Sequence, residues 1–159
     1  MIVRPATAQD AEAMTALQNE IIRIGGTTAY QQPRARGEVL ESYVTGLAVI
    51  GCQLAEEKGQ VLGFQVVGRS PELPEGWADI GTFVQPGLQA RGIGAALFAA
   101  SLTAARVAGV RVLNASIRAD NVPGLAYYAR RGFVDYASNP DWALADGRKV
   151  GRISRRFDL

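Results

Sequence analysis

The chain has 159 residues, 48% hydrophobic and 20% charged, with 17 basic and 15 acidic side chains and a net charge of +2. That length supports one sizeable core and nothing calls for a second, so residues 1–159 read as one domain, and the near-neutral balance speaks against a nucleic-acid tail or a polybasic membrane patch. Histidine is absent and Cys52 is the only cysteine; this excludes Ser-His-Asp and Cys-His relays, histidine-built zinc sites and an intrachain disulfide, and leaves Cys52 as a buried small apolar residue.

Along the chain, Ile2-Val3-Arg4 reads as a short strand. Met1 to Ile24 lacks a basic start followed by a long apolar run, so neither a signal peptide nor a membrane span is expected, and the expected compartment is the cytoplasm. Thr7 caps a helix whose apolar positions Ala11, Met14, Leu17, Ile21 and Ile24 recur at helical spacing, and Gly25-Gly26 ends it. A weaker helix covers 36–45. Strands over 48–56 and 61–68 are joined by the turn Glu57-Lys58-Gly59-Gln60, and 70–76, with two prolines, is a loop. A strand over 77–84 leads into the turn Gln89-Ala90-Arg91-Gly92-Ile93-Gly94-Ala95. That turn opens a helix on which Ile93, Leu97, Ala100, Ala104 and Val107 face a sheet, stopped by Gly109. A strand over 111–117, a short helix after Asn121, a strand over 133–137 and a last strand over 150–158 complete an α+β order. Arg152, Arg155 and Arg156 alternate with Ile153 and Phe157 as the solvated face of that last strand. There is no internal repeat and no low-complexity segment.

The turn at 89–95 reads as a phosphate cradle. Gly92 and Gly94 allow close backbone approach, the free N–H groups of the first helical turn converge with the positive end of the helix dipole, and Arg91 adds a charged contact. A P-loop does not fit, because no Gly-Lys-Ser/Thr follows. A dinucleotide fingerprint does not fit either: its third small position is Leu97, and Asn114 stands where an acidic residue is needed for the ribose.

Gln89, Arg91, Gly92 and Gly94 resemble the acyl-CoA signature of the GCN5-related N-acetyltransferases, the GNAT superfamily. Asn121-Val122-Pro123-Gly124-Leu125-Ala126-Tyr127-Tyr128-Ala129-Arg130-Arg131-Gly132-Phe133 resembles the family's asparagine, short helix, tyrosine and Gly-Phe close. The resemblance covers nearly the whole chain. It implies a mixed, mostly antiparallel sheet of six to seven strands, splayed at the acyl-CoA site and flanked by about four helices, with acetyl-CoA as acyl donor and no metal. Shorter pieces, Val3-Arg4-Pro5-Ala6-Thr7 with Asp10, and Asn19-Glu20 followed by Thr27-Thr28-Ala29-Tyr30, are similar to the phosphinothricin and methionine sulfone acetyltransferases, a subgroup that tends to form homodimers.

Acetyl transfer to an amine needs a base, an N–H for the oxyanion and an acid for the departing thiolate. The resemblance places the oxyanion N–H near Phe83 and Val84, and puts Gln89, Ala90, Arg91, Gly92, Ile93, Gly94, Ala95 and Asn121 around the cofactor. It makes Tyr128 the acid, with Tyr127 a packing neighbour. Asn121 reads both as a helix cap and as a contact to the pantetheine arm. Asp79 stands where the subgroup has a glutamate and is the first candidate base, acting through water or else only pairing with an arginine; Glu20 is the second. Thr28 and Tyr30 belong to the acceptor wall, Trp77 and Trp142 are further aromatic candidates, and Arg69 is the expected partner for an acceptor carboxylate. The expected partner is a small-molecule primary amine, an amino acid or analogue. A protein or peptide N-acetyltransferase and a non-catalytic acyl-CoA sensor are the alternatives.

Overall fold

Apolar runs over 49–57, 60–68 and 77–84, broken by few polar residues, suit strands that are covered on both faces, and the chain uses them as the centre of its sheet. The computed structural model describes all residues 1–159. Its elements are β1 (Ile2–Pro5), α1 (Ala11–Ile24), α2 (Arg36–Leu40), β2 (Val49–Glu57), β3 (Gln60–Gly68), β4 (Trp77–Val84), α3 (Ile93–Val107), β5 (Val112–Arg118), α4 (Val122–Arg130), β6 (Val134–Asn139) and β7 (Arg152–Asp158). Seven strands form one sheet in the order β1-β2-β3-β4-β5-β7-β6. Every neighbouring pair is antiparallel except β4 with β5. This is the mixed, mostly antiparallel sheet with four helices expected from the sequence. No helix is long and apolar enough to cross a membrane.

The parallel pair is short. Trp77 faces Val112, Ala78 faces Leu113 and Asp79 faces Asn114; beyond that rung β4 and β5 run on unpaired. β3 still holds β4 as far as Val84, and β7 holds β5 as far as Arg118. The two halves of the sheet therefore diverge like a fork.

Side-chain alternation gives each face its own core. Phe64, Val66 and Phe83 point to α1 and α2, where Met14, Leu17, Val39 and Tyr43 cover them. Tyr43, Phe64 and Phe83 pack as a trio with centroids 4.8–5.6 Å apart. Val67, Ala78 and Ile80 point the other way, to Phe98 and Ala105 of α3, Tyr128 of α4 and Phe133. Truncating fully buried Phe64 to alanine would cost about 3–5 kcal/mol by the usual transfer and cavity terms.

Several details depart from the sequence pattern. The buried line of α1 is Ala11, Met14, Leu17, Gln18 and Ile22; Ile24 is exposed, and Gln18 is buried because it donates to the Tyr43 hydroxyl at 2.7 Å. On α3 the buried line is Ile93, Leu97, Phe98, Ser101 and Ala105, while Val107 is 85% exposed. Helix α2 stops at Leu40 and continues to Thr45 as a wider π-type turn. One 3₁₀ turn, Ala8–Asp10, separates Thr7 from α1, and the Asp10 carboxylate, not the threonine, does the capping, accepting the Thr7 N–H at 2.7 Å.

Arg4 ties the sheet edge to that turn. Its guanidinium donates twice to Asp10, both at 2.9 Å, and twice to Glu56 on β2, at 3.1 and 3.2 Å. The Arg4 hydrogen bonds hold the Asp10 carboxyl down, from 3.8 to about 2. A depressed carboxyl contributes stability above its unfolded value and loses it as pH falls through the folded one. We therefore expect a melting temperature that drops as pH falls from 3.8 to 2, with a shallower drop, from a lower starting point, in Asp10→Asn; calorimetric melts across that range check it.

Candidate active site

Past the fork, the chain leaves β4 and must turn sharply to begin α3. It does so through Ala90 at φ 69° and Gly92 at φ 78°, both left-handed. An alanine there is uncommon and carries strain; Gly92 carries none, and a Cβ at that position would meet no atom within 4 Å, so the positive φ is what requires glycine. The first intrahelical bond of α3 is Ala96 N–H to the Gly92 carbonyl at 3.0 Å. The amides of Ile93, Gly94 and Ala95 thus have no intrahelical acceptor and point out of the helix end. A cleft of about 630 Å³ opens there, between the free end of β4, the start of α3, α4 and the C-terminal end of α1.

Gly94 is glycine for a different reason. A Cβ on it would lie 2.6 Å from Cε2 of Tyr127, so the tyrosine ring lies directly against the helix start. The Tyr127 hydroxyl donates to the Gly94 carbonyl at 2.8 Å. The sequence treats Tyr127 as a packing neighbour; the structure makes it a wall of the cleft. Gln65, fully buried on β3, donates at 3.0 Å to the Tyr127 oxygen and at 2.8 Å to Thr82 Oγ1 on β4. Thr82 Oγ1 lies 2.9 Å from the Tyr128 hydroxyl. Tyr128 is buried, and burial pushes its phenol well above the ordinary value, so it keeps its proton through the neutral range.

A second cavity of about 260 Å³ adjoins the first. Thr27, Thr28, Thr82, Phe83, Asn121 and Tyr128 line both. Its far wall carries Ser116, Arg118, Trp142 and Arg152. Arg118 is spent on structure, with Asp120 at 2.7 and 2.9 Å and the Thr28 carbonyl at 3.0 Å. Arg152 lies over the Trp142 ring, 5.6 Å from its centroid, and forms no salt bridge.

The structure gathers Tyr128, Asn121, Phe83, Val84, Gln89, Ala90, Gly92, Ile93, Gly94, Ala95 and Thr28 on these cavities. Gln85 N–H bonds the Leu62 carbonyl, and the antiparallel alternation then turns the Phe83 amide to β3 and the Thr82 and Val84 amides to the fork. Of the two expected oxyanion amides, the Val84 amide is the one that faces the gap. Asn121 accepts the Gly124 N–H at 3.0 Å as a cap and donates to the Thr27 carbonyl at 3.2 Å, so its side chain is used at both ends.

Other expected residues lie elsewhere. Arg91 turns away to Glu57, 3.5 Å off. The cations that line the cleft are Arg130 and Arg131, and Arg131 Nε is buried with no acceptor. Glu20 is bound twice by Arg23, at 2.6 and 2.9 Å, and lines neither cavity; that pairing lowers its pKa and weakens it as a base. Tyr30 lies under Arg34, 4.3 Å from ring centroid to guanidinium, and Arg69 is exposed past β3; neither lines a cavity. Trp77 packs on Tyr136 and Arg156 at the paired end of β4. Asp79 forms the last rung of the fork, accepting from Asn114 Nδ2 at 2.7 Å, while Asn114 Oδ1 accepts from Tyr136; it lines neither cavity. Burial raises the Asp79 carboxyl, against the Asn114 hydrogen bond and the more distant field of Arg152.

A forked mixed sheet with a helix N-terminus at the fork defines an acyl-CoA-binding class of fold, and the comparisons agree. The model of the acetyltransferase (GNAT) family matches residues 15–133. The chain belongs to that family and is an acetyl-CoA-dependent acetyltransferase. No curated protein sequence matches it. Among solved structures it is similar to a ribosomal-protein-alanine N-acetyltransferase from Brucella melitensis, at TM-score 0.88 and 23% identity over 100% of both chains. It is also similar to yncA from Salmonella typhimurium with its cofactor acetyl-CoA, at TM-score 0.87 and 23% identity over 99% of this chain and 93% of that one. A phosphinothricin acetyltransferase from Sinorhizobium meliloti in complex with AcCoA gives TM-score 0.86 and 21% identity over 99% and 88%.

The residues present suit the acyl donor: the unpaired amides of 93–95 and the orphaned Arg131 Nε are donors that would suit anionic phosphate, and Tyr128 lines the same cleft. In Gly94→Ala the new methyl displaces Tyr127, and since misplacement of about 1 Å costs on the order of 10²-fold, we expect a kcat/KM loss of that order together with a lowered melting temperature, as overpacking brings. Asp79→Asn tests the other candidate. The raised carboxyl means the folded state disfavours its charge, so its stabilising contribution is full below 3.8 and is lost as pH rises through the folded value. The variant should melt no lower than wild type at neutral pH and avoid the ~10²-fold rate loss that removal of a general base brings.

Proposed function

We propose that the chain moves the acetyl group of acetyl-CoA directly, in a ternary complex, to the primary amine of a small molecule that carries a carboxylate, an amino acid or analogue. The observation that carries this reading is the meeting of two cavities at Thr82, Phe83, Asn121 and Tyr128, one with a helix N-terminus at its mouth and the other with an acid-free arginine in its wall. Residues 1–159 then serve as one catalytic domain. The smaller cavity, about 260 Å³, suits a molecule of amino-acid size. Arg152, rather than Arg69, takes the carboxylate, and Trp142 backs the guanidinium.

Tyr128 is the proton donor to the departing sulfur. Its O–H bond breaks as the S–H bond forms, and the nitrogen, which sheds a proton in becoming an amide, returns one to the phenolate oxygen. The Val84 amide, turned into the fork, is placed to stabilise negative charge on the acyl oxygen. Neither Asp79 nor Glu20 is needed as a base on this reading; an amine that arrives neutral needs only a route for one proton. Direct transfer also agrees with the lack of an activated thiol, because burial pushes the Cys52 thiol up to about 12.

The test is CoA-thiol release across amino acids, methionine sulfone, phosphinothricin, polyamines and short peptides. We expect turnover on a carboxylate-bearing amine, with kcat reduced by about 10²–10⁴ in Tyr128→Phe. Arg152→Met should raise KM for that acceptor by roughly 10-fold or more, as loss of a charge-assisted hydrogen bond does, and leave the decarboxylated amine unaffected. Equal damage to both acceptors, or turnover confined to peptides, would sink the carboxylate assignment.

A further inference from the structure

The hydrogen-bond chain around Tyr128 offers a way to free its hydroxyl hydrogen. The Gly94 carbonyl can only accept, so the Tyr127 hydroxyl, 2.8 Å away, spends its hydrogen there. The Tyr127 oxygen must then accept from Gln65, which fixes the NH₂ end of that buried amide toward the pair. The same NH₂ group donates its second hydrogen to Thr82 Oγ1 at 2.8 Å. Thr82 Oγ1, already an acceptor from Gln65, lies 2.9 Å from the Tyr128 oxygen, and either hydroxyl can be the donor in that bond. With Thr82 as the donor, the Tyr128 hydrogen is free to point into the cavities that Tyr128 lines.

We propose that Gln65 and Thr82 are positioning residues that aim the Tyr128 hydrogen at the reacting sulfur, and that Tyr127 locks their direction to the Gly94 carbonyl at the acyl-donor loop. This rests on Tyr128 as the proton donor. The device does two things. It denies the Tyr128 hydrogen an acceptor within the fold, where it would otherwise be held in a hydrogen bond to Thr82. It also keeps a donor on the Tyr128 oxygen while that oxygen is without its proton, offsetting the burial that disfavours phenolate. Gly94 starts α3, so the donor-binding turn and the proton donor share one directed chain across α3, α4, β3 and β4.

Thr82→Val keeps the shape and removes the hydroxyl. In steady-state assays we expect a fall in kcat of about tenfold, the scale of one lost hydrogen bond, with KM for acetyl-CoA changed by less than about twofold. Thr82→Ser should restore most of the rate. Gln65→Met, which frees Thr82 to turn its hydrogen away, should lower kcat in the same sense and gives a second reading if Thr82→Val folds poorly. In a Tyr128→Phe background, Thr82→Val should cost nothing further, because its effect runs through the absent phenol. The relay is overturned if Thr82→Ser is as slow as Thr82→Val, if the Thr82 and Tyr128 losses multiply, or if Thr82→Val and Gln65→Met both keep full kcat while Tyr128→Phe is slow. If Tyr128→Phe itself keeps full kcat, the proton-donor reading fails first and the relay falls with it.

Discussion

The parallel pairing of β4 with β5 ends at Asp79 and Asn114, and the site exists because it ends there. Three rungs hold two half-sheets together, and past them backbone groups that a longer ladder would consume are left to face a ligand. Asp79 and Asn114 secure the last rung through a side-chain bond, with Tyr136 fastened behind them. A buried carboxylate is a costly fastener, and burial does raise its pKa. At that position, though, a polar pair specifies where the two strands part, which an apolar pair would leave free to slide.

Helices keep the fork open and give it chemistry. α3 starts beside the open end of β4, so its unpaired amides and dipole face the gap. α4 closes the opposite side, capped by Asn121, whose amide also holds the Thr27 carbonyl. Arg118, buried on β5, anchors the neighbouring Thr28 carbonyl. The segment that separates the two cavities is thus fixed at consecutive carbonyls by side chains from two elements. Apolar residues at the C-terminal end of α1 finish the cleft: Ile21, which also packs on the core, and Ile24, which is exposed, form its wall.

Much of this was legible in the residues. The strand-like runs of β2, β3 and β4, the glycine-rich turn, and the segment from Asn121 to Phe133 led to the sheet, the cradle and Tyr128. What escaped had physical causes. Helix α3 is apolar nearly all round, so period alone could not tell its buried line from the flank that carries Val107. Arg69, Glu20, Tyr30 and Trp77 were placed near the acceptor by their residue type, by short subgroup-like segments and by their places in the expected elements, whereas the cavity draws on β7 and the 139–151 segment, whose approach depends on β7 lying between β5 and β6. Arg152, Arg155 and Arg156 were read as one solvated face, but Arg155 lies on the side of Ile153 and Phe157, its side chain 14% exposed and donating to the Leu125 carbonyl of α4, and Arg152 lines the smaller cavity. One signal was available: Gln65 interrupts an apolar run in a central strand, and a buried amide there must have partners.

Tyr127 and Tyr128 show how much one short helix can settle. Successive helical residues point about 100° apart, so the two rings, 4.9 Å between centroids and near perpendicular, cannot serve the same partner. One goes to α3 and the other to β4, and only a group lying between them can join the two. Gln65 is that group, because β3 pairs with β4 in a register that sets Gln65 opposite Thr82. A shift of that register by one residue would send Gln65 to the α1 face and put an apolar neighbour against both hydroxyls. The partner that a single phenol finds beside the cleft is thus set by the pairing register of two strands.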